Sequence, residues 1–290
     1  MNIGSYLRRP VNAVITSRDS RSLSRPAEVA AQFLYYLVLT TGLLVLTAPI
    51  IVIVGVSFNP TTRQIFPPSG FSLRWYEAFF AYPDFVEGFF FVSLPIAFIV
   101  GFLATALGVM AAYFVVRSGS DYESEASTFF LLPTVVPVGI LGLALLIFFD
   151  RWDFLPAFAK LVLGHTLIGM PFAFLTSVSA LRSVDTDLEQ AARNLGATRL
   201  QAFRQVTLPL MRSGVISGYL LAFILSFSDI NIALFLSNSN ALTLPLAIFF
   251  FLQDNSSPII AATATLKLLL ILVLVLIIGR LVGFTAVVRD

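Results

Sequence analysis

Cysteine is absent from this chain, which excludes disulfides, iron–sulfur clusters and thiolate metal sites and leaves the redox compartment unmarked. A single histidine, His165, leaves no histidine cluster to hold a metal. Lysine occurs only at Lys160 and Lys267, both in apolar surroundings. No Gly-x-x-x-x-Gly-Lys-Ser/Thr loop surrounds either, so the chain cannot bind ATP through a Walker motif. Charged residues are scarce at 12%, and serine, histidine and carboxylates nowhere fall at a spacing that would form a catalytic constellation. The expectation is a chain that is not an enzyme and carries no cofactor or metal of its own. A net charge of +2 gives no footprint for nucleic acid.

What is abundant is apolar surface. Of the 290 residues 58% are hydrophobic, and the mean hydropathy of +0.91 says that water is not the main solvent. A helix crossing roughly 30 Å of hydrocarbon needs about 20 apolar residues. Segments near 33–58, 89–116, 127–149, 156–179, 213–236 and 259–284 meet that length, so the expected fold class is an all-α integral membrane protein of about six transmembrane helices. Lys160, His165 and Pro171 interrupt the fourth, although proline is tolerated where neighbouring helices satisfy the freed backbone groups. The apolar segment after residue 32 outruns the roughly 7 to 15 residues of a signal-peptide core, which reads as an uncleaved first span behind a polar tail, 1–32.

Positive residues are retained on the cytoplasmic side of a membrane. Alternating the spans puts thirteen of them on one side: Arg8, Arg9, Arg18, Arg21 and Arg25 of the tail, Arg117, five in the 180–212 loop, Arg280 and Arg289. The other side holds four, Arg63, Arg74, Arg151 and Lys160, with Lys267 inside a span. Both termini and the 180–212 loop are therefore expected in the cytoplasm. Two outer segments exceed a simple turn. In 59–88, Asn59-Pro60 and Pro67-Pro68 provide turn chemistry ahead of an aromatic amphipathic stretch, Leu73 to Tyr82. In 237–258, an apolar run from Leu242 to Leu252 is too short to span and is expected to form a re-entrant or interfacial helix.

The loop 182–212 reads RSVDTDLEQAARNLGATRLQAFRQVTLPLMR. Asp185 or Thr186 can cap a helix whose apolar positions Leu188, Ala191, Ala192 and Leu195 recur at helical spacing, and Gly196 supplies a left-handed stop. Thr198 with Gln201 makes a capping-box pattern for a second helix carrying Leu200, Phe203 and Val206, and Pro209 marks its end or a kink. The product is a helix-turn-helix knob whose small residues Ala191, Ala192 and Gly196 allow close approach to another surface.

This loop resembles the signature of permease subunits of binding-protein-dependent ABC importers: Glu-Ala-Ala, three residues, Gly, nine residues, Ile, any residue, Leu-Pro. Gln190-Ala191-Ala192, Gly196 and Val206-Thr207-Leu208-Pro209 keep every spacing. Gln190 stands where Glu is usual, with Glu189 before it, and Val206 replaces Ile. Whether a coupling contact would use the Glu189 carboxylate or the Gln190 amide is left open by the sequence. Span count, orientation and the position of the motif before the last two spans agree with the family, so the resemblance covers nearly the whole chain. Within the family FSLRWYEAFF (71–80), LLPTVVPVGILGLALL (131–146) and TLPLAIFFFLQDNSSPIIAATATL (243–266) look most like the spermidine/putrescine branch.

The resemblance implies a type I, methionine-importer-like transmembrane domain over 33–290, forming half of a translocation pathway for polyamines or a similar small organic solute. It implies a multi-pass protein of a bacterial inner membrane. The implied partners are two cytoplasmic ABC ATPase subunits that bind ATP and Mg, a second homologous permease, an external substrate-binding protein and membrane lipid. The coupling residues carried over are Glu189, Gln190, Ala191, Ala192, Gly196, Leu208 and Pro209.

Ionisable residues inside a span are costly and usually face the bundle interior or a water-filled path. Asp229 lies about eight residues before the outer end of the fifth span and Lys267 about eight after the outer start of the sixth, so at about 1.5 Å per residue both sit roughly 12 Å deep. The matched depths predict that they approach one another or line one cavity, together with Ser228, Asn231 and Phe227; a structural ion pair is the alternative reading. For a cationic solute Asp229 would attract and Lys267 would be the counter-ion; for an anion the roles reverse. Pro95, Pro133, Pro137 and Pro171 are candidate bends. An ion-gradient-driven secondary transporter is the rival function, but it would tend to show inverted repeats, and no internal symmetry is visible.

Overall fold

The computed structural model describes residues 25–117, 123–151 and 154–282. Arg8, Arg9, Arg18 and Arg21 of the expected cytoplasmic tail, and Arg289, lie outside the described residues. The chain groups into two units, Met1–Ile51 and Val52–Asp290. Helix α1, Arg25–Ser57, starts in the first of these, and its side chains from Gln32 to Ile51 are all exposed, as suits an apolar helix whose solvent is lipid.

The second unit is helical throughout, with no strand among the described residues. Helix α2 is Arg74–Ala81 and α3 is Pro83–Arg117. The pair α4, Glu123–Val135, and α5, Val138–Phe149, is followed by α6, Ala157–Arg182. Then come α7, Thr186–Asn194, α8, Arg199–Leu210, and α9, Arg212–Ser228. The chain closes with α10, Asn231–Leu236, α11, Leu244–Asp254, and α12, Ile259–Val282. Stretches within α1, α3, α6 and α12 are each long and apolar enough to cross a membrane alone, and two bent pairs, α4 with α5 and α8 with α9, raise the number to six.

Two expected spans take a different form. The third, 127–149, is broken at Val136-Pro137, where α4 and α5 meet at 94°. Pro137 has no N–H to donate to the preceding turn and pushes Val136 out of the helical region, so the helix stops and restarts. The fifth, 213–236, ends early: α9 stops at Ser228 and α10 restarts at Asn231. Pro95, Pro133 and Pro171 stay inside helices. A widened π stretch, Glu87–Ser93, runs up to Pro95, and a second, Phe203–Thr207, runs up to Pro209, each at the place where proline removes an i to i−4 bond.

The framework is the mutual packing of α3, α6 and α9, and small residues set its spacing. A Cβ on Gly108 of α3 would lie 2.7 Å from the Phe174 backbone nitrogen, and one on Gly214 of α9 would lie 2.6 Å from the Thr176 carbonyl oxygen. Both contacts are with α6 backbone, which cannot yield, so these helices approach as closely as small residues permit in lipid. At one end, Phe79, Phe85, Phe89 and Phe227 form a buried aromatic cluster under α2 and α11. The expected interfacial elements are both helical: α2 buries Trp75 and Phe79, with the Trp75 indole N–H donating to the Asn59 carbonyl at 2.7 Å. The start of α11 is fixed by the Ser93 hydroxyl accepting from the Leu244 N–H at 2.8 Å.

Candidate coupling knob and membrane cavity

The 182–212 segment folds as its local signals require. Asp185 caps α7 by accepting from the Asp187 N–H at 2.9 Å. Gly196 has φ +95°, with its own N–H bonded to the Arg193 carbonyl and the Ala197 N–H bonded back to the Ala192 carbonyl at 3.1 Å. That pair of bonds closes the C-terminus of α7 and needs a left-handed residue, which glycine takes without a Cβ penalty. Thr198 and Gln201 form both halves of a capping box at the start of α8. Leu188, Gln190, Ala191, Leu195, Gly196, Leu200 and Pro209 are exposed, while Ala192 and Leu208 are half-buried.

Glu189 behaves differently from the rest of the knob. Its carboxylate is folded inward, where Oε1 accepts from the buried Thr207 hydroxyl and Oε2 lies 3.1 Å from the Arg117 Nε. That contact is an ion pair rather than a directed hydrogen bond. Arg117, the last residue of α3, also donates from Nη2 to the carbonyls of Val184 at 2.9 Å and Leu181 at 3.5 Å, at the C-terminal end of α6. Of the two side chains left open by the sequence, Gln190 is outward and Glu189 is committed within the chain. Arg117 and Thr207 were not singled out from the sequence as site residues, since Arg117 sits 72 positions before Glu189 and no spacing rule spans that distance.

A half-open cavity of about 400 Å³ lies where both broken helices meet, with Thr134, Ser228 and Asn231 exposed at it. Pro133 and Thr134 at the end of α4, Leu225 and Ser228 at the end of α9, and Asp229, Ile230 and Asn231 at the break all line it, with Val138, Ile168, Phe172 and Ile224 supplying apolar wall. Asp229 Oδ2 accepts from the backbone N–H of Ile232 at 2.7 Å and of Ala233 at 3.4 Å, so the side chain organises the start of α10. The same oxygen lies 3.5 Å from Nε2 of His165, whose Nδ1 is 2.9 Å from the Ser226 hydroxyl. No hydrogen bond or ion pair among the described residues engages Asp229 Oδ1. The C-terminal turns of α4 and α9 and the N-terminal ends of α5 and α10 all line this cavity, so their opposed helix dipoles offset one another and the Asp229 carboxylate is the one full charge on the lining.

The expected meeting of Asp229 and Lys267 does not occur. The Asp229 partner is His165, and Lys267 is absent from the cavity wall; its ammonium lies 5.4 Å from the centre of the Phe227 ring. Phe227 is itself buried, packed on Phe223 and Phe89 rather than facing the cavity. The reason is angular: at 100° per residue, positions 227 and 229 point to different sides of a helix, and the backbone turns out of helical geometry at Asp229. Matched depth therefore did not mean matched face. Of the five pathway candidates, Ser228, Asp229 and Asn231 share the cavity, and Phe227 and Lys267 share the packing between α9 and α12.

Helices broken at the cavity, a three-helix framework and a knob of two short helices define a membrane transport subunit, and residues 104–284 match the family described as binding-protein-dependent transport system inner membrane component. The chain belongs to that family. It is 35% identical over 232 residues to the putrescine transport system permease protein PotI of Escherichia coli (strain K12), covering 78% of this chain and 82% of the relative. It is 31% identical over 214 residues to the spermidine/putrescine transport system permease protein PotC of Haemophilus influenzae, covering 74% and 82%. The fold is shared with the inward-facing MetNI methionine ABC transporter, with TM-score 0.58 and 20% identity over 70% of this chain and 96% of that one. It is also shared with a bacterial ABC transporter importing alginate, with TM-score 0.64 and 15% identity over 89% and 98%. This chain is thus a multi-pass inner-membrane permease subunit of an ABC importer. It is a transport component and not an enzyme, and the gradient-driven alternative is set aside. A subunit of this kind works with an ATPase and a substrate-binding protein.

Proposed function

We propose that this chain forms half of the translocation pathway for a polyamine-type organic cation, beside a second homologous permease and above two ATPase subunits that bind ATP and Mg. The observation that carries the substrate class is the Asp229 carboxylate, whose Oδ1 no described hydrogen bond or ion pair engages, standing on a mostly apolar cavity wall with Thr134, Ser228 and Asn231. An ammonium group gains a charge-assisted contact there, and methylene spacers gain the apolar wall. An anion would meet repulsion from that carboxylate. The names of the polyamine relatives point the same way.

The knob docks on the ATPase through the exposed Gln190, Ala191, Gly196 and Pro209 surface, with Ala192 and Leu208 behind it and Glu189 holding the helix from within. Both termini lie in the cytoplasm, on the side of the arginine-rich 182–212 segment. ATP binding favours one of two conformations of the complex, and this subunit transmits that preference to the helices around the cavity. The test is purification of the intact complex through a tag on this chain, followed by proteoliposome uptake of putrescine in competition with spermidine, a neutral sugar and a dicarboxylate. Two ATPases, a second permease and inhibition by spermidine alone are expected. Inhibition by the dicarboxylate and not by spermidine would overturn the cation assignment.

A further inference from the structure

We propose that Arg117 is a positioning residue that makes the knob and two membrane helices move as one body. The inference rests on the proposed docking of the 182–212 segment on the ATPase and goes beyond it, because docking alone does not say how a push on the knob reaches the cavity. Arg117 ends α3, and its one guanidinium reaches the Glu189 carboxylate in α7 and the Val184 and Leu181 carbonyls at the end of α6. Glu189 then reaches the Thr207 hydroxyl in the second arm of the knob, and the Tyr113 and Phe203 rings pack at 5.0 Å alongside. Four elements, α3, α6, α7 and α8, thus close on a single largely covered ion pair whose side chains are 14% and 11% exposed.

A guanidinium suits this junction because its planar fork donates in several directions at once, which an ammonium cannot reproduce with the same geometry. A charge pair shielded from solvent also has few alternative partners, so the joint is stiff. One of the two helices it grips lines the cavity: α6 contributes Ile168 and Phe172 and carries His165 beside Asp229, and α3 packs along α6 at Gly108. Displacement of the knob is therefore delivered to the cavity wall instead of being absorbed by rotation of α7 on its loop.

The test measures solute moved per ATP hydrolysed in proteoliposomes holding the assembled complex, for wild type, Arg117→Gln, Arg117→Lys, Glu189→Gln and Thr207→Val. Arg117→Gln and Glu189→Gln are expected to lower this ratio about tenfold while the ATPase remains in the purified complex. Arg117→Lys should fall between them and wild type, because it keeps the charge and loses the fork. Thr207→Val removes only the hydroxyl, and its smaller fall keeps the proposal testable if Arg117→Gln does not assemble. Variants that lose thermal stability but keep the wild-type ratio would overturn the transmission role and leave a merely structural clasp. A failure of docking is read separately: a Gly196→Val variant that leaves ATPase assembly and transport intact overturns the docking reading itself.

Discussion

The knob and the membrane break both interrupt an apolar helix with polar residues, but they are held by different kinds of contact. In the knob, the bonds that cap its two helices run between residues two to five apart: Asp185 to Asp187, Thr198 to Gln201, and Ala197 back to Ala192. At the break, Asp229 organises α10 locally, but its imidazole neighbour His165 and the Ser226 hydroxyl lie 61 residues apart in the chain. Caps completed between near neighbours can be read from sequence. A site assembled across helices depends on how those helices pack, which suits a cavity that must change shape during transport.

The comparison breaks most severely if the helix framework fails. Gly108→Val or Gly214→Val places atoms on α6 backbone, where even modest overpacking costs about 1–3 kcal/mol and backbone contact adds to it. Loss of folded protein by size-exclusion chromatography in detergent is expected, and a monodisperse, active variant would mean that the helix spacing is less strict than described. Next, Gly196→Val forces a left-handed β-branched residue, a strain of about 1–3 kcal/mol confined to the knob. It should remove the ATPase from the purified complex while the membrane part still folds. A drop in membrane-domain stability of the same size would erase the distinction between local and non-local regions.

Asp229→Asn keeps a side chain able to accept at the start of α10 and removes the charge, so uptake of a polyamine should fall by about tenfold or more with ATPase assembly intact. Unaltered uptake and substrate preference would make Asp229 structural. Thr198→Ala removes one half of a capping box, worth about 1 kcal/mol, and a shift of a few degrees in thermal midpoint is the expected reading. The smallest effect is expected from Lys267→Met. Burying that ammonium costs about 2.5–3.5 kcal/mol and the contact with Phe227 returns up to about 2 kcal/mol, so removing both leaves a net gain in stability of at least about 0.5 kcal/mol and no loss of uptake. A fall in uptake as deep as that of Asp229→Asn would return Lys267 to the pathway.

Much of the architecture was legible because it is written in short periods. Apolar length marked the spans, the Thr198 and Gln201 pair marked a helix start, and Gly196 marked a stop, since each signal is completed within a few residues of itself. The break in the fifth span was less legible: SFSDIN reads as a polar interruption of an apolar run, and only the 2.7 Å bond from the Ile232 N–H to Asp229 reveals that the helix restarts there. Depth along a helix axis follows from counting residues, whereas the face presented follows from rotation and from where the backbone stops being helical. That is why Asp229 and Lys267 matched in depth and still separated.

From the amino-acid order alone come the solvent of this protein, its helical class, the caps of the knob's two helices and the family to which that motif belongs. Each of these rests on hydrophobic length or on hydrogen bonds between near neighbours. Tertiary structure alone decided that Glu189 turns inward to Arg117, that His165 stands beside Asp229, and that α4 and α9 end at the same cavity. Those pairings join residues dozens of positions apart, and their selection rests on the close approach of α3, α6 and α9 that Gly108 and Gly214 permit.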